Sequence, residues 1–156
     1  MIPANQPKRG GCAFRTAAIG AGAACAFLYA ESPVLIRRIR IANATAVAAD
    51  LALKFMNAAG TPATLIRPNL FEATAGTNRT LQATLNKTFT VPPTVLADII
   101  KQSLLPATIG AAISWEFDED AAFALDAGTG VVVVNQGALV TGLMDITVEV
   151  ECALFV

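Results

Sequence analysis

Side chains that could do chemistry are few in this chain, and they fall into three groups. Asp118-Glu119-Asp120 sets three carboxylates in a row, the hard-oxygen cluster that a calcium ion favours. Glu149 and Glu151 stand two residues apart, a spacing that invites thought of paired acid and base work on a glycosidic bond. Arg37, Arg38 and Arg40 form one dense basic cluster of the kind that meets phosphates.

Each group has a plainer explanation. The acidic triplet lacks the spacing and the closing glutamate of an EF-hand loop, so a solvated hairpin tip is expected there. Glu149 and Glu151 alternate with apolar residues and form the wet side of a strand. The arginines have no further basic or aromatic residues interleaved with them, which argues against nucleic acid; a salt-bridge seam between subunits or a charged strand edge explains them. The chain has no histidine, which removes serine–histidine, cysteine–histidine and most zinc mechanisms. Gly128-Thr129-Gly130 opens a strand rather than a helix and reads as a turn, not a phosphate cradle. Cys12, Cys25 and Cys152 match no metal motif and are odd in number, so free, buried thiols in a reducing compartment are expected. No enzymatic activity, metal or cofactor is expected.

The elements that would position these groups are strands. From Asp145 to Cys152 the apolar residues Ile146, Val148, Val150 and Cys152 alternate with Asp145, Thr147, Glu149 and Glu151, which predicts a half-buried strand. Val131–Val134 does not alternate and predicts a strand covered on both faces, which requires a second sheet. Further strands are expected over 16–30, 34–42, 50–55, 80–91, 111–117 and 123–126. In the 34–42 strand, a bulge near Arg37 and Arg38 would restore the alternation. Between Pro93 and Pro106, Val95, Leu96, Ile99, Ile100 and Leu104 recur at spacings of three and four, which predicts one helix over 94–104, capped by Thr94. The sum is an all-β sandwich with seven or eight strands and one short helix.

Residues 1–15 contain Pro3, Pro7, Gly10 and Gly11 and predict an N-terminal arm, with a single domain over 16–156. The uncharged run after Arg15 resembles a signal peptide, but it is mostly Ala and Gly and too short to span a bilayer, so no membrane partner is expected. Charge is scarce and lopsided. Hydrophobic residues make up 54% and charged ones 15%, against about 25% in ordinary soluble domains. So lean a surface predicts that copies cover one another. Residues 1–90 carry a net charge of +7 and residues 91–156 carry −8. Copies meeting basic side to acidic side would use that asymmetry, with Lys8, Arg9 and Arg15 of the arm docking on an acidic neighbour whose acids, Asp118, Glu119 and Asp120 among them, lie after position 116.

Three stretches, SPVLIRRIRIANATAVAADLALKF, PNLFEATAGTNRT and ISWEFDEDAAFALDAGTGVVVVNQGALVTGLMDITVEVE, together resemble small jelly-roll proteins of tailed-phage virions, over about residues 31–152. The chain is also similar in pattern to compact jelly rolls of the tumour-necrosis-factor and complement types. The resemblance implies an antiparallel jelly-roll-like sandwich that forms a homo-oligomer, most simply a trimer. It further implies contact with a major capsid protein or other virion proteins, assembly in the host cytoplasm, and a decoration or minor capsid role. A receptor- or glycan-binding knob of a tail or fibre is the alternative, and one Trp among few aromatics is a meagre sugar platform. A cupin-like enzyme is disfavoured by the missing histidines.

Overall fold

The structure is a computed structural model that describes residues 8–17, 24–58, 60–66, 69–70, 83–117, 123–137 and 142–152. These residues form strands β1 (Lys8–Arg15), β2 (Ala24–Ala30), β3 (Val34–Asn43), β4 (Ala49–Ala58), β5 (Thr61–Ile66), β6 (Asn69–Leu70), β7 (Ala83–Val91), β8 (Thr94–Leu105), β9 (Ala112–Glu116), β10 (Phe123–Leu125), β11 (Gly130–Asn135) and β12 (Met144–Cys152). All pairings are antiparallel.

The first sheet runs β10-β3-β12-β1-β6, with β9 beside β10 on the same flank of β3; the second runs β5-β7-β2-β11-β4-β8. The chain therefore alternates between sheets in a fixed way. Broken strand β9/β10, then β3, β12 and β1, make one four-stranded layer; β8, β4, β11 and β2 make the other. That is the double Greek-key arrangement of a jelly roll. The excursion between β4 and β8 adds β5 and β7 outside β2, and β6 outside β1.

Alternation fills the space between the layers. Ile36, Ile39 and Ile41 of β3 and Ile146, Val148 and Val150 of β12 face Leu51 and Leu53 of β4 and Val131 and Val133 of β11, all buried in one core. Phe123 lies between Phe55 and Phe117, its ring centroid 5.3 and 5.4 Å from theirs and tilted to both. Trp115 Nε1 donates to Ser103 Oγ at 3.0 Å and ties β9 to β8 across the sheets. Val131–Val134 is buried on both faces: Val131 and Val133 belong to the core, while Val132 and Val134 join Met56 on the other side of the sheet. The bulge expected near Arg37 and Arg38 is present, because Glu149 pairs with Arg38 and Val150 with Ile36, leaving Arg37 as the extra residue.

Two expectations are corrected. The helix over 94–104 is strand β8, paired along β4 with register shifts at three places. Those bulges insert extra residues, so a strand's period of two is stretched into the spacings of three and four that imitate a helix. An isolated eleven-residue helix is also marginal in water, and Val95, Ile99 and Ile100 are β-branched, so the hydrogen bonds offered by β4 win. The arm over 1–15 is also revised, for its Lys8–Arg15 portion. That segment is β1, which lies inside the first sheet between β12 and β6 and pairs from Lys8 with Cys152 to Arg15 with Asp145. Gly10 and Gly11 are no obstacle where a long partner strand supplies the ladder; residues 1–7 lie outside the described residues.

Candidate interaction surfaces

Among the described residues, the ion pairs gather on the outward face of the first sheet. β12 turns Asp145, Thr147, Glu149 and Glu151 outward, and its neighbours bring arginines to meet them. Arg15 donates to Asp145 from Nε and Nη2 at 2.8 and 2.9 Å, a bidentate fork. Arg9 Nε reaches Glu151 Oε2 at 3.2 Å from one side. Arg37, thrown onto this face by the bulge, reaches the same oxygen from Nε and Nη2 at 2.8 and 2.7 Å from the other. Arg38 donates to Glu149.

Glu151 is the hub of this array, its side chain only 10% exposed and Arg37 15%. Arg37 Nη1 and Arg38 Nε find no protein acceptor, so both guanidinium groups depend on the two glutamates for compensation. Arg40 stands opposite Thr147 and Ser114, exposed, with no ion pair among the described residues. The Arg15 hydrogen bond holds the Asp145 carboxyl below the usual carboxylate range, and the same bond raises Arg15. Burial pushes the Cys12 thiol up to about 11, so this free cysteine behaves as a small apolar side chain.

Of the residues singled out in the sequence, Arg9, Arg15, Arg37 and Arg38 are thus brought together on one face, each with an acid of the same chain. The basic first half and acidic last half meet within the molecule, in neighbouring strands. Lys8 pairs through its backbone with Cys152. Asp118, Glu119 and Asp120 lie outside the described residues. Glu149 and Glu151 hold structure together here, and the signal for that was present: acids on the wet side of one strand and arginines on that of another.

Gly128 does sit in a turn, at φ 82, with Thr129 N donating to the Asp126 carbonyl at 3.1 Å. Gly130 follows because a Cβ there would fall 2.5 Å from the Leu28 carbonyl oxygen. A depression of about 190 Å³ is lined by Pro33, Val34, Leu35, Ala124, Leu125, Asp126 and Glu151. It is smaller than the roughly 300–1,000 Å³ of ordinary ligand sites, and Glu151 is already committed to two arginines. Among the described residues no three His, Cys, Asp or Glu side chains converge on a metal position, and no helix is long and apolar enough to cross a membrane.

The second surface was missed in the sequence. β8 is the edge of the second sheet, and among the described residues no strand pairs with its far side. Leu96, Ile99 and Leu104 are 42, 45 and 74% exposed on it, with Val91 and Ile109 exposed at either end. Read as a helix, this stretch hides its apolar stripe; as an edge strand, it displays it.

No protein-family model matches the chain, and no curated protein matches it. Solved structures with a similar course include PirA (16% identity, 88% of this chain and 92% of that one, TM-score 0.37). Others are the virus-like particle of the extra small virus of the giant freshwater prawn Macrobrachium rosenbergii (9%, 93% and 79%, 0.33) and a family 35 carbohydrate-binding module from an environmental isolate (11%, 88% and 90%, 0.26). With TM-scores below 0.5, none of them bears on function.

Proposed function

We propose that this chain is a structural protein of a virion, a decoration or minor capsid component of a tailed-phage head, which works as a homo-oligomer and catalyses nothing. The observation that carries this reading is the apolar edge: Leu96, Ile99 and Leu104 stand open on a twelve-residue strand with one acid and one base, Asp98 and Lys101. Long exposed apolar edges are aggregation sites unless covered, so a chain that keeps one is built to be covered. The jelly-roll topology supports the reading by analogy of fold only, since capsid, lectin and cupin domains all use it. The knob alternative finds less support: Trp115, the single tryptophan, is 4% exposed and its indole N–H is spent on Ser103.

The test is fractionation of particles from cells that produce this chain, followed by cryo-EM. The reading expects the chain to band with intact heads and a jelly roll of this strand order to be resolved on them. Absence from particles would overturn it, and binding to a glycan array at micromolar concentration without incorporation would favour the knob.

A further inference from the structure

We propose that the depression at the margin of the first sheet is a docking seat for one basic side chain, a lysine or arginine carried by an extended segment of a partner protein. The proposal goes beyond the virion role and does not depend on it, since it concerns a single contact and not a particle.

Strand register explains why a hollow forms there. On the outward face, Ala124 of β10, Leu35 of β3 and Glu151 of β12 stand in one row across three neighbouring strands. Leu125 turns inward to the core, so Asp126 comes outward again one step on, beside Pro33, which precedes β3. A lone methyl group at Ala124, next to the half-buried Leu35, leaves the row unfilled, and the depression of about 190 Å³ lies over it.

Size and lining choose the kind of occupant. At ~30 Å³ for each water, the hollow has room for roughly six, which suits one long side chain and is too little for a drug-sized molecule. Pro33, Leu35 and Ala124 give it hydrocarbon walls, against which lysine and arginine lay their methylene stems.

Charge sets the sign of the head group. Asp126 offers its backbone carbonyl to Thr129, whose N and Oγ1 both donate to it, while its carboxylate makes no hydrogen bond or ion pair among the described residues. Glu151 takes Arg9 and Arg37 on Oε2, and Oε1 accepts no hydrogen bond among the described residues. A cationic head therefore meets an unpaired carboxylate at Asp126, with Glu151 as a second wall of the same sign; an anionic head would meet a like charge. Arg9 and Arg37 pull the other way, but their guanidinium groups are held on Oε2 and neither residue lines the hollow.

Access selects an extended segment. β10 is the margin of its sheet, and among the described residues no strand pairs with its far side. A segment laid along it carries, level with Ala124, a side chain on this same face, and a long one reaches over the alanine toward Asp126. β10 has three residues, so main-chain pairing is slight and the anchored side chain supplies the specificity.

The experiment is amide-resolved NMR of the full chain, titrated at constant ionic strength with N-acetyl-lysine methylamide and with the norleucine and glutamate counterparts, each up to about 50 mM. The lysine compound should shift the amides of Leu35, Ala124 and Asp126 with a dissociation constant of about 1–10 mM, as one side chain can supply. Norleucine, which keeps the stem and lacks the charge, should bind about fivefold more weakly, and glutamate should leave these amides unmoved. Asp126→Asn should bring lysine down to the norleucine level. Ala124→Leu should fill the hollow and abolish both responses while the circular-dichroism melt holds, since Ala124 is exposed. No shift at 50 mM, equal binding of lysine and norleucine, a response to glutamate at these amides, or lysine binding unchanged in Asp126→Asn would overturn the proposal.

Discussion

On the outer face of the first sheet, Arg9, Arg15, Arg37 and Arg38 meet Asp145, Glu149 and Glu151 across neighbouring strands. On the outer face of the second, Met56, Val132 and Val134 cluster with Tyr29 and Val95, and the edge beyond them shows Leu96, Ile99 and Leu104. Both sheets share one core, yet one turns compensated charge outward, while the other carries a buried apolar cluster on its outer side and exposed leucine and isoleucine along its edge. A paired charged face is at home in water and offers little to a partner, since most exposed ion pairs contribute little and each of these four arginines already has its acid. An apolar edge is the reverse. The division shows where a chain with 15% charged residues places its ion pairs: among the described residues they lie on the first sheet, away from the apolar edge.

The largest expected effect comes from cutting the scaffold of the first sheet. Deleting residues 2–11 removes Lys8–Gly11, the half of β1 that pairs with Glu149–Cys152, and takes Arg9 from Glu151. A loss of several kcal/mol, lowering the melting temperature by roughly 10 °C or more, is expected by calorimetry. A melt within two or three degrees of the intact chain would show that β1 is the dispensable arm that Gly10 and Gly11 suggest.

An intermediate effect separates the two outer faces directly. Val132→Asp would place a carboxylate at a position with no exposure, amid Met56 and Val134, and should cost about 2–3 kcal/mol. Thr147→Asp, also outward-facing but half-buried and opposite Arg40, should change stability by no more than about 0.5 kcal/mol in urea titrations. Equal costs would erase the distinction between the faces.

The smallest effect is in acid. Arg15 lowers the Asp145 pKa in the folded state, so the pair's contribution is present above the unfolded carboxylate value of about 3.9 and is lost as pH falls through the folded value. Asp145→Asn should therefore flatten the decline in melting temperature below about pH 4 slightly and leave the neutral value nearly unchanged. A steeper acid decline in the variant would reverse the sign assigned to the pair.

Period-two alternation made β3, β4 and β12 legible from the chain alone, and even the Arg37 bulge, because a strand half-buried in a core cannot hide its alternation; β11 was legible by the opposite sign, an unbroken β-branched run that needs cover on both faces. β8 was illegible for the opposite reason: its bulges break the period, and it is strand only because β4 offers a ladder far away in sequence. β1 was hidden by Gly10 and Gly11, whose weak local preference is overruled by β12 from the other end of the chain. The candidate surfaces followed the same logic. Arginines and acids could be seen separately as wet-side residues, but their pairing needed the adjacency of β1, β3 and β12. The apolar edge could not be seen while β8 was read as a helix.

The most direct test of the account is hydrogen exchange followed amide by amide as the protein is diluted from 100 to 1 µM. If the homo-oligomer covers the β8 edge, the outward amides of Thr94–Leu105 should be protected at high concentration and lose at least about tenfold protection on dilution, while those of β12, paired on both sides within the chain, should stay protected throughout. Protection of β8 that does not depend on concentration, or a loss that falls on β12 instead, would contradict it.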